Sequence, residues 1–160
     1  MKKIILLSLA LVCCGVSAVA QPRPAESKTQ KTESPKRRAV NLPGATPNGL
    51  FSPAVVSGDL VFTSGQIGVD PKTGQLAEGG TAGQFEQVFK NLSAALEAAG
   101  SSTEHILKAT VFLADMADYN TMNDLYRKQF KGDPPARTTV QVAALPRGAR
   151  IEIEAVAVLK

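Results

Sequence analysis

Phe85, Val88, Phe89, Leu92 and Leu96 recur at helical spacing, which predicts an amphipathic helix over about 82–99 with one buried face. Thr81 and Gln84 precede it as a T-x-x-Q pair, the capping-box pattern that satisfies the free N–H groups of a first turn. Gly100 follows as a C-terminal stop. Asp118 is placed to cap a second helix whose inner face carries Tyr119, Met122, Leu125, Tyr126 and Phe130, with Gly132 and Pro134-Pro135 ending it. Two short apolar runs, 54–57 and 60–64, flank Gly58-Asp59 and predict a hairpin. Asp70-Pro71-Lys72-Thr73-Gly74 has the composition of a turn, and Gly79-Gly80 frees the chain to change direction.

Residues 107–114, 138–142 and 151–158 are further strands, and the expected order is β-β-β-α-β-α-β-β, its third strand without assigned bounds. A strand, a long helix and a strand make a crossover, which predicts that 60–64 and 107–114 run parallel. The fold class that follows is α+β: one mixed sheet with both helices on one face. The last strand is informative about the other face. Ile151, Ile153, Ala155 and Ala157 point one way and suit a helix-covered side, while Glu152, Glu154, Val156 and Val158 point the other. Carboxylates mixed with valines fit a subunit interface with a polar pocket better than open solvent or a dry core.

Composition changes the picture mainly at the N-terminus. Lys2-Lys3, the apolar run 4–12 and Ala18-Val19-Ala20 form the three parts of a secretory signal peptide, with Gln21 as the first mature residue. The apolar run is well short of the roughly 20 residues that a membrane span needs. Cys13 and Cys14 leave lipid attachment as an alternative, weakened by Val12 and Cys13 as the preceding neighbours. Cleavage removes both cysteines together with Lys2 and Lys3. Residues 1–20 hold no acid, so the net charge falls from +4 to +2, which is no argument for a nucleic-acid partner. Residues 21–40 are polar and proline-containing and read as a disordered leader. Residues 41–160 are long enough for one core. The expected location is therefore export to the periplasm or the medium, with no stable membrane anchor after cleavage.

The chemistry is first limited by absences. His105 is the only histidine, and the mature chain has no thiol, so no metal site is expected. No G-x-S-x-G, phosphate loop or G-x-G-x-x-G is present. Arg137 stands where a strand begins, after Pro134-Pro135 sets an extended approach. A guanidinium held there can bind a carboxylate through two parallel hydrogen bonds, although an arginine at a strand end also suits a surface salt bridge. Glu152 could supply an acid/base group facing the same pocket, or be a solvated carboxylate.

Five blocks occur in order: Thr63-Ser64-Gly65-Gln66-Ile67; Thr110-Val111-Phe112-Leu113 with Asp115-Met116; Asn123 with Tyr126; Pro135-Ala136-Arg137-Thr138-Thr139-Val140; and Ile151-Glu152-Ile153-Glu154-Ala155-Val156-Ala157. With these, the chain from about Asn41 to Lys160 resembles the RidA/YjgF family of reactive-intermediate (enamine/imine) deaminases. The resemblance implies a chorismate-mutase-like fold, and a homotrimer whose sheets form a central barrel with sites at the subunit clefts. It also implies hydrolysis of 2-aminoacrylate-like enamines, or their imines, to 2-oxo acids and ammonia without a cofactor. A non-catalytic module binding small carboxylates is the alternative on the same fold.

Carried over by position, the resemblance implies that Arg137 binds the substrate carboxylate and that Thr139 offers backbone groups near the imine. It implies that Gly65 and Asn123 line the cleft and that Glu152 orients or activates water. Phe51 stands where many members have tyrosine, and Pro53 where a polar residue is common. Phe51 keeps the ring at the substrate site and lacks the hydroxyl.

Overall fold

The long helix forms where its periodicity places it. In the computed structural model, which describes residues 36–44 and 49–160, α1 spans Gly80–Ala99. Phe85, Val88, Leu92 and Leu96 are fully buried on it. The expected signal peptide and most of the expected leader lie outside the described residues. The strands are β1 Arg37–Val40, β2 Ala54–Ser57, β3 Leu60–Thr63, β4 Gln66–Ile67, β5 Ile106–Leu113, β6 Ala136–Gln141 and β7 Ile151–Val158, and the second helix, α2, spans Tyr119–Arg127. They form one mixed sheet in the order β1-β2-β3-β7-β5-β6, with β4 also paired to β7. Both helices pack on one face.

Four expectations need correction. Four strands precede α1 instead of three. β1 lies within the stretch expected to be leader. Its basic residues Arg37 and Arg38 sit on an exposed sheet edge, while Val40 enters the core. Charged residues suit an edge strand because they discourage pairing with other chains, so polar composition alone did not exclude a strand here. Arg38 also donates to the Ala99 carbonyl at 3.1 Å, where a cation meets the free carbonyls at the end of α1.

The predicted caps do not form either. Gly79, in a left-handed conformation with φ 89°, precedes α1, and no side chain caps it. Thr81 instead donates to Asp118 Oδ2 at 2.5 Å. Gln84 Oε1 accepts from the Arg150 backbone N–H at 2.8 Å. Asp118 precedes α2 but makes no cap of its own, because Thr81 and Arg150 take its carboxylate. Finally, α2 ends at Arg127, before Phe130 and the prolines.

The β2–β3 hairpin is antiparallel. β3 and β5 run parallel to each other, as the crossover requires, but they are not neighbours. β7 lies between them and pairs antiparallel with each. Its alternation follows the sequence: Ile151, Ile153, Ala155 and Ala157 are buried beneath the helices, and Glu152, Glu154, Val156 and Val158 are half-buried on the opposite face. That opposite face also exposes Phe62 and Val140.

Candidate active site

β6 supplies the arginine. Its alternation is set by parallel pairing with β5, in which Arg137 lies opposite Ala109 and Thr139 opposite Val111. Ala109 and Val111 are core residues, so Arg137 and Thr139 emerge on the helix side of the sheet. There α2 crosses above them. Asn123 Oδ1 accepts from Arg137 Nη2 at 2.6 Å, Met122 Sδ lies 3.6 Å from Nη1, and the guanidinium carbon sits 4.6 Å over the Tyr126 ring. Phe89 of α1 meets the Tyr126 ring edge-on at 6.0 Å, which ties α2 to the core. A cleft of about 350 Å³ opens beside this group, walled by Tyr126, Phe130, Pro134 and Pro135, with Asn123, Arg127 and Arg137 as its polar members; Arg127 is ion-paired to Asp124 at 3.2 Å. The Thr139 hydroxyl is buried without a hydrogen-bond partner among the described residues.

Glu152 is elsewhere. It pairs with Ile67 of β4 and Phe112 of β5 and projects from the face opposite the helices. Within one chain, Arg137 and Glu152 therefore do not share a pocket. The reason is register parity, since Arg137 is in line with the buried Ala109 and Glu152 with the half-buried Phe112. Gly65 is beside Glu152, so close that a Cβ at position 65 would overlap the carboxylate. The preceding segment is pinned there too: Ser64 Oγ donates to the Ser52 carbonyl at 2.7 Å, and the Ser64 N–H donates to the Pro53 carbonyl at 3.0 Å. Phe51, next to this anchor, is 60% exposed.

The expected site residues thus fall into two groups: Arg137, Asn123 and Thr139 on the helix side, and Gly65 and Glu152 on the other, with Phe51 exposed in the loop before β2. Burial, reinforced by the charge of Glu154, pushes the Glu152 carboxyl above the ordinary glutamate value, which suits a group that exchanges protons. Among the described residues, no three His, Cys, Asp or Glu side chains come together as a metal site would require. The sequence placed Met122 and Tyr126 on the inner face of α2, and Tyr126 also in a family block with Asn123, but assigned neither Met122 nor Tyr126 a part in the site. The three-residue spacing of Asn123 and Tyr126, which puts both on one helix face, was the available signal for the role of Tyr126.

The chain is similar to known proteins over its whole described domain. The human protein named 2-iminobutanoate/2-iminopropanoate deaminase is 50% identical over 125 residues, which cover 76% of this chain and 90% of that protein. The crystal structure of RidA from an Antarctic Psychrobacter covers 76% of this chain and 99% of its own, with a TM-score of 0.71 and 40% identity. The crystal structure of the Escherichia coli YjgF product covers 77% and 99%, with a TM-score of 0.70 and 38% identity. Residues 43–159 match the family described as Endoribonuclease L-PSP. The match over residues 43–159 and the identity to relatives across three quarters of the chain lead to one conclusion: this chain belongs to the Endoribonuclease L-PSP family, the family of RidA.

Proposed function

We propose that the protein is a cofactor-free imine deaminase, hydrolysing small 2-imino acids and their enamine tautomers to 2-oxo acids and ammonia. The observation that carries the proposal is the setting of Arg137. It opens on a cleft and is held by an amide, a thioether and a ring, with no carboxylate at ion-pair distance among the described residues. Its charge is left for a ligand carboxylate, which a guanidinium binds through two parallel bonds. Relatives about half identical to the chain and named for imine deamination support the same reading.

The two groups of site residues are proposed to meet between copies of the chain. In a homotrimer with sites at the subunit clefts, Glu152, Gly65 and Phe51 of one copy face Arg137 and Asn123 of the next. The half-buried mixed face of β7, with Phe62 and Val140 exposed beside it, is the surface such packing would cover.

The chemistry needs few groups. An enamine first tautomerises to its imine. Arg137 holds the carboxylate, and the imine carbon, already electrophilic, is attacked by water. Glu152 takes a proton from that water as the C–O bond forms and returns it to the nitrogen, giving a carbinolamine. Glu152 then takes the carbinolamine hydroxyl proton and delivers it to the amino nitrogen, so that the C=O bond forms as the C–N bond breaks, its electron pair leaving with ammonia and the 2-oxo acid remaining. Positioning and one proton-handling group can supply such a barrier reduction. Because Phe51 has no hydroxyl, proton transfer falls to Glu152. Thr139 contributes backbone groups beside the imine. We place this activity outside the cytosol, in the periplasm or the medium, on the strength of the N-terminal signal pattern.

A coupled assay tests the reading. An amino-acid oxidase generates imines in place, and semicarbazide traps what remains. Wild type should deplete trappable imine faster than Arg137→Ala. Equal depletion, with a 2-oxo acid still bound by wild type, would instead identify a carboxylate-binding module without turnover.

A further inference from the structure

We infer that Tyr126 is a positioning residue for Arg137: its ring fixes the plane of the guanidinium, so that the two-point grip on a carboxylate is set before the substrate arrives. This deepens the reading of the cleft as a carboxylate site and rests on it.

The contacts on Arg137 divide between face and edge. The guanidinium carbon lies over the Tyr126 ring, 4.6 Å from its centroid, within the range of a cation–π contact. Asn123 Oδ1 at 2.6 Å and Met122 Sδ at 3.6 Å meet the edge. A face contact limits tilt, and an edge contact limits rotation within the plane. All three partners lie within residues 122–126 of α2, so a single helix sets the orientation. A long side chain that is already oriented loses less freedom when it binds.

Tyr126 is itself immobilised. It is 4% exposed, its ring lies 4.9 Å from that of Phe130, and Phe89 meets it edge-on. Its hydroxyl is buried and has no hydrogen-bond partner among the described residues, so the ring is the part of the residue that is used. The platform also stays neutral. Burial, only partly offset by the Arg137 charge, pushes the phenol up to about 12, so no phenolate forms to compete for the guanidinium. A residue serving only the core would affect stability and leave ligand affinity unchanged.

The test compares the full chain as wild type, Tyr126→Phe, Tyr126→Leu and Arg137→Ala. Steady-state imine hydrolysis gives KM and kcat, and calorimetry with 2-oxobutanoate gives Kd. Tyr126→Phe should stay within about twofold of wild type in both KM and Kd, because the ring remains. Tyr126→Leu should raise both by about five- to tenfold, the scale of a lost cation–π contact, with kcat within about twofold, the pattern of lost binding rather than lost chemistry. Wild-type affinity in Tyr126→Leu, with binding abolished in Arg137→Ala, would overturn the role of Tyr126 and leave the carboxylate site standing. Loss of affinity in Tyr126→Phe equal to that in Tyr126→Leu would also overturn it. Unchanged binding in Arg137→Ala would overturn the site reading itself. Should Tyr126→Leu fail to fold, wild type decides by NMR. The Arg137 guanidinium protons, assigned by their loss in Arg137→Lys, should shift upfield of those of the other arginines because they lie over the ring. An absence of that shift would overturn the inference.

Discussion

Arg137 and Glu152 project from opposite faces of one sheet. Arg137 aligns with the buried Ala109, and Glu152 with the half-buried Phe112. If both serve one reaction, each site takes them from two different copies. Variants lacking one or the other should then complement. Arg137→Ala and Glu152→Gln should each be inactive alone. When the two are denatured, mixed in equal amounts and refolded together, about a quarter of the clefts in a closed cyclic assembly pair an intact Arg137 with an intact Glu152. Recovery of about that fraction of wild-type activity is expected. No recovery, from assemblies shown by mass to be mixed, would overturn the pairing of Arg137 and Glu152 between copies.

Gly65 leaves room for the Glu152 carboxylate. Any Cβ at position 65 would overlap it, and the flexible carboxylate rather than the backbone would move. Gly65→Ala is therefore expected to fold with nearly unchanged stability but to lose kcat by about tenfold or more, since displacement of a reacting group by about 1 Å has effects of that size or larger. KM, governed by Arg137, should change little. Steady-state kinetics beside a thermal melt checks both parts.

Burial first, and the Glu154 charge second, raise the Glu152 carboxyl above its ordinary value of 4.5. If Glu152 acts as a base, the rise of kcat with pH should be centred above 4.5. Glu154→Gln removes the neighbouring charge and should move that rise to lower pH. Stability runs in the opposite sense. Between the unfolded and folded values the native chain binds more protons, so this group costs stability as pH increases through that window. Glu152→Gln should abolish the loss, which denaturant titrations across that window would show.

Asp118 behaves inversely. Burial alone would raise its carboxyl, but the hydrogen bonds from Thr81 and Arg150, with the Arg150 charge, outweigh burial and hold it below 3.8. It joins the first turns of α1 and α2 to the start of β7 through Arg150 Nη2 at 2.8 Å and Thr81 at 2.5 Å. Asp118→Asn should cost about 1–2 kcal/mol at neutral pH, the scale of charge-assisted hydrogen bonds reduced by the partial exposure of Arg150. The stabilisation is present above the unfolded value and is lost as pH falls through the folded one. The gap between wild type and Asp118→Asn should therefore close in acid, and urea titrations at neutral and strongly acidic pH would reveal it.

The sequence by itself determined the elements whose patterns are local. The buried face of α1 follows from a 3.6-residue period, and the two faces of β7 from a two-residue period. The β2–β3 turn follows from Gly58-Asp59, and Arg137 and Glu152 stood out by residue type and motif. Tertiary structure decided what depends on partners distant in the chain. Thr81, Gln84 and Asp118 have the chemistry of caps, yet Arg150 binds all three, because a folded chain offers a guanidinium and a free backbone N–H that an isolated helix does not. β7 separates β3 from β5 because hydrogen-bonding order is set by which edges meet. The same pairing decided that Arg137 faces α2 while Glu152 faces away. One strand's alternation shows that neighbouring residues oppose each other, but only its register against β5 shows which of them face the helices.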